Sequence, residues 1–185
     1  ELSISSTNIK RDNFSWNTSF VYSHTKTEIS KLFNQGTVFD MISGIGFAKQ
    51  GYPVRAIFSI PFVGLNNEGL PQFINEKGEI TTHNINFQER DKTDFLKYEG
   101  PSDPVYSGSL SNVFNYKGFH LNIFMTYAFG NVVRLNPVFR GTYTDLSSMT
   151  NIFKNRWMNP GDENSTNVPA ILSYRQVKEN YELTY

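Results

Sequence analysis

The most regular feature of the chain is alternation. Phe119, Leu121, Ile123, Met125, Tyr127 and Phe129 are apolar, while His120, Asn122, Phe124, Thr126, Ala128 and Gly130 between them are mostly polar or small. A period of two sends successive side chains to opposite faces of a strand. Just upstream, Tyr106, Gly108, Leu110, Phe114 and Tyr116 share one parity, and Ser107, Ser109, Ser111 and Asn115 share the other. The two runs meet at Tyr116-Lys117-Gly118-Phe119, where Gly118 can supply the positive φ of a tight turn. The pattern predicts a hairpin of strands over 105–116 and 119–130.

The same period recurs earlier. Phe14, Trp16, Thr18, Phe20 and Tyr22 alternate with Ser15, Asn17, Ser19 and Ser23, predicting a strand over 13–24. Leu2 and Ile4 against Ser3 and Ser5 predict another over 1–9, turning through Lys10-Arg11-Asp12-Asn13. Val54, Ala56, Phe58, Ile60 and Phe62 predict a strand over 52–63, with Pro61 marking a bulge or an edge. The stretch from 64 to 78 is rich in turns and is expected to hold one short strand at 72–74, while the number of strands between 64 and 104 stays open. Helical periodicity is nearly missing, apart from a turn or two over 40–49.

The connections are unequal. The joins at 10–13 and 117–118 are short and basic, whereas 25–51 and 131–185 are long, polar and rich in Gly, Asn and Pro. Loops of that length usually carry function. Short and long connections alternating on strands of about 9–11 residues describe an outer-membrane barrel.

Composition narrows the classes. The 17 Lys plus Arg balance 17 Asp plus Glu, so the basic footprint of a nucleic-acid binder is missing. The chain has no Cys, which excludes disulfide scaffolds, cysteine-ligated zinc and thiol catalysis. Charged residues are 18% and aromatic residues 15%, so Ser, Thr and Asn supply the polarity. No segment approaches the roughly 18 apolar residues of a membrane-spanning helix, which says nothing against a barrel.

Two architectures share this alternation: a soluble antiparallel sandwich and a transmembrane barrel. Three features favour the barrel. The polar faces carry Ser, Asn and Thr rather than the Lys and Glu of a sheet facing bulk water. Aromatic residues gather near strand ends, where a membrane girdle would lie. The loops are less uniform than a sandwich's. Periodicity by itself leaves the choice open.

The segment from Tyr98-Glu99-Gly100-Pro101 through Pro104-Val105-Tyr106 to Tyr116-Lys117-Gly118-Phe119, closing at Phe129-Gly130-Asn131, is more specific. It strongly resembles the SusC/RagA family of TonB-linked outer-membrane transporters, in a late part of their barrel. Gly64-Leu65-Asn66, Gly69-Leu70-Pro71 and Lys77-Gly78 resemble a flanking family segment, with Leu65-Asn66 standing where Ile-Asp is usual. Arg156-Trp157-Met158-Asn159-Pro160-Gly161-Asp162 resembles the family's Arg-Trp-x-x-Pro-Gly-Asp loop. Phe14-Ser15-Trp16 followed by Phe20 fits an upstream strand of the same family.

The resemblance implies an all-β fold: antiparallel strands forming part of a transmembrane barrel of roughly 22 strands with long extracellular loops. It also implies that the chain is a fragment, without the family's plug domain and final strands. An open arc of strands leaves unpaired edges, so the segment alone is not expected to insert stably into lipid. The implied function is import of glycans or peptides across a Gram-negative outer membrane. A SusD-like surface lipoprotein would be the partner, TonB would act through the missing N-terminal part, and outer-membrane lipid would surround the barrel. Rival readings are a TonB-dependent iron-chelate receptor and a soluble β-sandwich carbohydrate-binding module.

Residues opposite the apolar faces, namely Ser107, Ser109, Ser111, Asn115, His120, Asn122 and Thr126, are candidates to line the lumen and meet substrate. Hydroxyls and amides suit sugar recognition, and a wet barrel interior requires them in any case. Arg156 and Trp157 are candidate anchors for the lipoprotein, since Arg and Trp dominate interface energetics.

No catalytic, cofactor or metal residue emerges. His24, His83 and His120 share no ligand spacing, and Gly44-x-Gly46 has no strand-to-helix context. Asp162-x-Asn164-x-Thr166 lacks the Gly and Glu of a calcium loop. Glu89 to Asp94 reads as a hydrated loop rather than a carboxylate pair for glycoside chemistry. No Gly-x-Ser-x-Gly elbow occurs, so no enzyme is expected.

Overall fold

The computed structural model describes residues 1–135 and 150–171. Of the loop expected over 131–185, residues 136–149 and 172–185 lie outside the described residues. The elements run β1 (Leu2–Arg11), β2 (Phe14–His24), α1 (Val38–Ile42), β3 (Ala56–Ser59), β4 (Phe62–Leu65), β5 (Pro71–Ile74), β6 (Ile80–Thr81), β7 (Lys97–Pro101), β8 (Tyr106–Tyr116) and β9 (Phe119–Phe129). Two short 3₁₀ turns follow at Asn151–Asn155 and Asp162–Asn164. The fold is all-β and antiparallel, as the alternation predicts.

The long strands form one sheet in the order β1-β2-β8-β9. Strand β8 pairs with β9 without slip from Tyr106↔Phe129 to Tyr116↔Phe119. The two-residue turn between them places both Lys117 (φ 43°) and Gly118 (φ 90°) at positive φ, which matches the twist of a tight hairpin. Strand β2 pairs directly with β8 along its whole length, from Phe14↔Tyr116 to His24↔Tyr106. Residues 25–105 are therefore a single excursion between adjacent strands, leaving from the end opposite the two short turns.

Pairing aligns the parities into two continuous faces. Trp16, Phe20 and Tyr22 stand opposite Phe114, Leu110 and Gly108, which in turn stand opposite Leu121, Met125 and Tyr127. Strand β1 joins this face through a bulge. Ile4 pairs with Phe20, the register then slips between Thr7 and Ile9, and Ile9 pairs with Trp16. The extra residue, Asn8, re-phases the strand so that Leu2, Ile4 and Ile9 share the apolar face despite their unlike parity.

Ser6, Thr18 and Asn112 are polar positions in register on that face, and the Asn112 side chain is occupied. Its Oδ1 accepts from Trp16 Nε1 (3.0 Å) and from Thr18 Oγ1 (2.7 Å), while Asn8 Nδ2 donates to Thr18 Oγ1. A polar group on an apolar surface is costly unless it is hydrogen-bonded, and here the bulge residue closes the network.

The strand expected over 52–63 does not join this sheet. Its residues form β3 and β4, which belong to two separate small sheets, β3-β7 and β4-β5-β6. Ala56, Ile57 and Phe58 are all buried, so both faces are covered and the alternation read there was incidental. Pro61 separates the two strands, as its missing N–H favours. The helical turn lies at 38–42 rather than within 40–49. Thr37 caps it: Thr37 Oγ1 accepts from Asp40 N (3.1 Å), and Thr37 N donates to Asp40 Oδ2 (2.8 Å). The short strand expected at 72–74 is β5.

The core of the described residues lies in this excursion rather than under the long strands. Val38, Met41, Ala56, Phe58, Phe73 and Leu96 pack together with little or no exposure. After β9 the chain folds back onto this core, with Val132 N donating to Pro101 O (2.8 Å) and Arg134 to Phe58 O (2.7 Å). Gly100, at φ 146°, lets Val132 approach, since a Cβ there would meet its methyl groups.

Candidate functional site

The four-stranded sheet has two chemically opposite surfaces, and the described residues place no second layer against its apolar one. Leu121, Ile123, Met125 and Phe129 are 56%, 44%, 51% and 52% exposed. In a sandwich these are the residues that would be covered. Aromatic side chains concentrate towards both ends of the face. Trp16 stacks on Phe114 (5.6 Å) nearer the short turns, and Tyr106 stacks on Phe129 (4.9 Å) and His24 (5.0 Å) at the opposite end.

The opposite surface gathers all seven sequence-predicted lining residues. Ser107, Ser109, Ser111 and Asn115 of β8 lie beside Ala128, Thr126, Phe124 and His120 of β9, and Asn122 stands opposite Val113. Hydrogen bonds link several of them across strands. Ser111 Oγ donates to Asn122 Oδ1 (3.1 Å). Asn115 accepts at Oδ1 from His120 Nδ1 (2.6 Å) and donates through Nδ2 to Ser15 Oγ (3.0 Å). Ser15, Ser19 and Ser5 extend the same surface onto β2 and β1, with a hydroxyl pair at Ser5 and Ser19 (3.2 Å). These three were legible in the alternation of 1–9 and 13–24, but only the pairing of β2 with β8 sets them beside the hairpin. Phe124, Val113 and Val21 interrupt the polar surface.

Arg156 and Trp157 are not part of this surface. Trp157 is half-buried: its backbone N–H donates to Val168 O (2.9 Å), and its indole N–H donates to Glu163 Oε2 (3.0 Å). Its ring lies against Gly69, and Ala170 N donates to Gly69 O (3.0 Å), so the 156–170 segment is docked on the β4–β5 turn. The Arg156 guanidinium stands 4.8 Å from the Phe153 ring centre. The Trp157 indole is the main cause holding the Glu163 carboxyl below the usual range. Asp162 is lowered by backbone donors from Asn159 and Met158.

A cavity of about 460 Å³ opens where the long strands meet the folded excursion, lined by His24, Lys26, Glu28, Tyr52, Tyr98 and Asp103 among others. Asp103 is paired with Arg55 (2.7 Å). Burial pushes the Tyr98 hydroxyl above its ordinary pKa, with a smaller contribution from Tyr52. No helix among the described residues is long and apolar enough to cross a membrane, and no three metal-ligating side chains among them converge.

A sheet that is apolar on one side and polar on the other, with short turns at one end and large folded excursions at the other, has the architecture of a large β-barrel's wall. Solved structures carry the same fold. The chain superposes on the RagAB peptide importer in its open-open state with a TM-score of 0.66 over 97% of its length, at 17% identity. On the same importer in its closed-closed state the TM-score is 0.61 over 97% of its length, at 19% identity. It spans 19% and 20% of those chains, about a fifth of their length. At such identity the likeness is one of fold. No protein-family model matches the sequence, and no curated protein does.

Proposed function

We propose that this chain is a wall-and-loop segment of a TonB-dependent outer-membrane importer. The observation that carries this reading is the uncovered apolar face that spans β1, β2, β8 and β9, broken only by the hydrogen-bonded polar cluster around Asn112. A soluble protein rarely leaves so large an apolar surface in water. Acyl chains would cover it, and the Ser, Asn and Thr surface would line a wet lumen. The superposition on RagAB supports the same reading, because that importer's fold accommodates nearly the whole chain.

In this reading β1 and β9 are internal strands of a larger closed barrel of roughly 22 strands, which supplies partners for their outer edges. Substrate, a peptide or an oligosaccharide, passes the surface formed by Ser107, Ser109, Ser111, Asn115, His120, Asn122 and Thr126. Its hydroxyls and amides recognise backbone amides as readily as sugar hydroxyls. The excursion at 25–105 and the described segments 131–135 and 150–171 face outward and meet a SusD-like lipoprotein. Arg156 offers that partner a cation, and Trp157 holds the loop that presents it. TonB acts through a part of the transporter outside this chain.

The test uses single cysteines carrying bimane at Ile123 or Asn122 in the intact barrel, reconstituted with brominated phospholipid. Quenching is expected at Ile123 and not at Asn122. Equal protection of both positions from lipid would overturn the membrane reading in favour of a sandwich.

A further inference from the structure

The two short turns of the four-stranded sheet lie side by side and collect nearly all of its charge. Strands β2, β8 and β9 contain no Asp, Glu, Lys or Arg, whereas Lys10, Arg11, Asp12 and Lys117 all fall at this one end. Lys117 N donates to Asn13 O (3.1 Å), which holds the turns together. An open cleft of about 380 Å³ lies between them at the end of the sheet, where Arg11, Asn13 and Lys117 of the turns meet Phe14, Tyr116 and Phe119 of the apolar face and Ser15, Asn115 and His120 of the polar one.

Two cations, Arg11 and Lys117, meet one carboxylate, Asp12, in the cleft, and Lys10 stands beside it opposite Ser15. Among the described residues none of Lys10, Arg11 and Lys117 is ion-paired, since the three salt bridges lie at Lys49, Arg55 and Lys97. The register places Arg11 opposite Phe14, on the apolar face with Tyr116 and Phe119. The Lys117 ammonium stands 5.5 Å above the Tyr116 ring. Phe119 is 81% exposed, an unusual position for an aromatic ring unless something apolar covers it. Uncompensated cations bordered by exposed aromatic rings match a membrane headgroup layer, where the rings sit at the acyl boundary and the cations reach the phosphates.

We propose that this cleft binds an anionic phospholipid headgroup of the periplasmic leaflet, with Arg11 and Lys117 on the phosphate and Tyr116 and Phe119 against the upper acyl chain. The proposal rests on the reading above, which sets the apolar face in lipid and the short turns toward the periplasm.

The experiment is native mass spectrometry of the intact detergent-purified barrel with phosphatidylglycerol, with phosphatidylcholine, or with phosphatidylglycerol plus inorganic phosphate as competitor. Phosphatidylglycerol should be retained over phosphatidylcholine. Each basic residue near an anionic surface is worth about a fivefold change in affinity, so Arg11→Gln/Lys117→Gln should lose roughly 25-fold. Lys77→Gln, on a turn of the distant excursion, should lose nothing. Equal retention of both lipids, or full retention by the double variant, would overturn the proposal. Displacement of the lipid by millimolar inorganic phosphate would assign the cleft to free phosphate and overturn the lipid assignment. Bimane quenching at Ile123 separates the two levels: quenched without lipid selectivity, only the cleft assignment falls, and unquenched, the membrane reading falls with it.

Discussion

The Tyr127 ring lies across Gly108, its partner on the neighbouring strand, and its hydroxyl donates to Val21 O two strands away at 2.9 Å. A Cβ at position 108 would collide with both the Tyr127 hydroxyl end and the Val21 carbonyl. The glycine is thus the gap that an aromatic side chain fills, a recurrent device for pinning strand register. Gly108→Val should destabilise the folded barrel by about 1–3 kcal/mol through overpacking. Tyr127→Phe, which loses only the hydrogen bond, should cost about 1 kcal/mol. Urea midpoints followed by heat-modifiable mobility on gels give the ordering, and equal effects would mean that the contact is incidental.

The two faces of β9 should tolerate charge unequally. Ile123→Arg should cost about 2–4 kcal/mol of folding stability in lipid, whereas the lumen-side Asn122→Arg should change transport more than stability. The same urea titration in liposomes reports the first and uptake assays the second. Comparable destabilisation at both positions would contradict the assignment of faces.

Expressed by itself, the chain presents the outer edges of β1 and β9 to lipid with no neighbour among the described residues. Unpaired backbone groups are not tolerated in hydrocarbon. The isolated chain is expected to yield no protease-resistant, heat-modifiable species in liposomes, and finding one would show that the sheet closes in some other way.

Acid should loosen the folded excursion. The backbone N–H of Thr37, then its hydroxyl, holds Asp40 below the ordinary carboxylate range, and the Ser59 hydroxyl followed by Lys97 does the same for Glu99. A carboxylate whose folded pKa lies below its unfolded value stabilises the fold fully above the unfolded value, near pH 4, and the contribution disappears as pH falls through the folded pKa. Protease protection of residues 25–105 should be flat from neutral pH to about 5 and should decline below about 4. Thr37→Val should flatten part of that decline by removing a donor to Asp40.

Trp157→Ala should release the 156–170 segment from the Gly69 turn, seen as new proteolytic cleavage there. If the loop meets the lipoprotein, co-purification of the partner should fall with it. Arg156→Ala should weaken co-purification without new cleavage. Unchanged assembly in both variants would remove this loop from the partner interface.

The alternation of Phe119 to Phe129 against Tyr106 to Tyr116, broken by Lys117-Gly118, determines a hairpin and its two faces with no help from the rest of the chain. A two-residue period and a turn glycine are local properties, and the shared face of the seven residues proposed to line the lumen follows from them. What only the tertiary structure decided is non-local. Ala56 to Phe58 and Leu121 to Met125 both read as strand, yet one is buried on both sides inside an excursion and the other lies in the long sheet. That difference depends on β2 choosing β8 over the nearer apolar run, because a full eleven-residue register satisfies more backbone than a segment interrupted at Pro61. The phase of β1 was hidden for the same reason. Leu2, Ile4 and Ile9 share a face only because Asn8 bulges out, a placement set by the partner strand rather than by β1 itself.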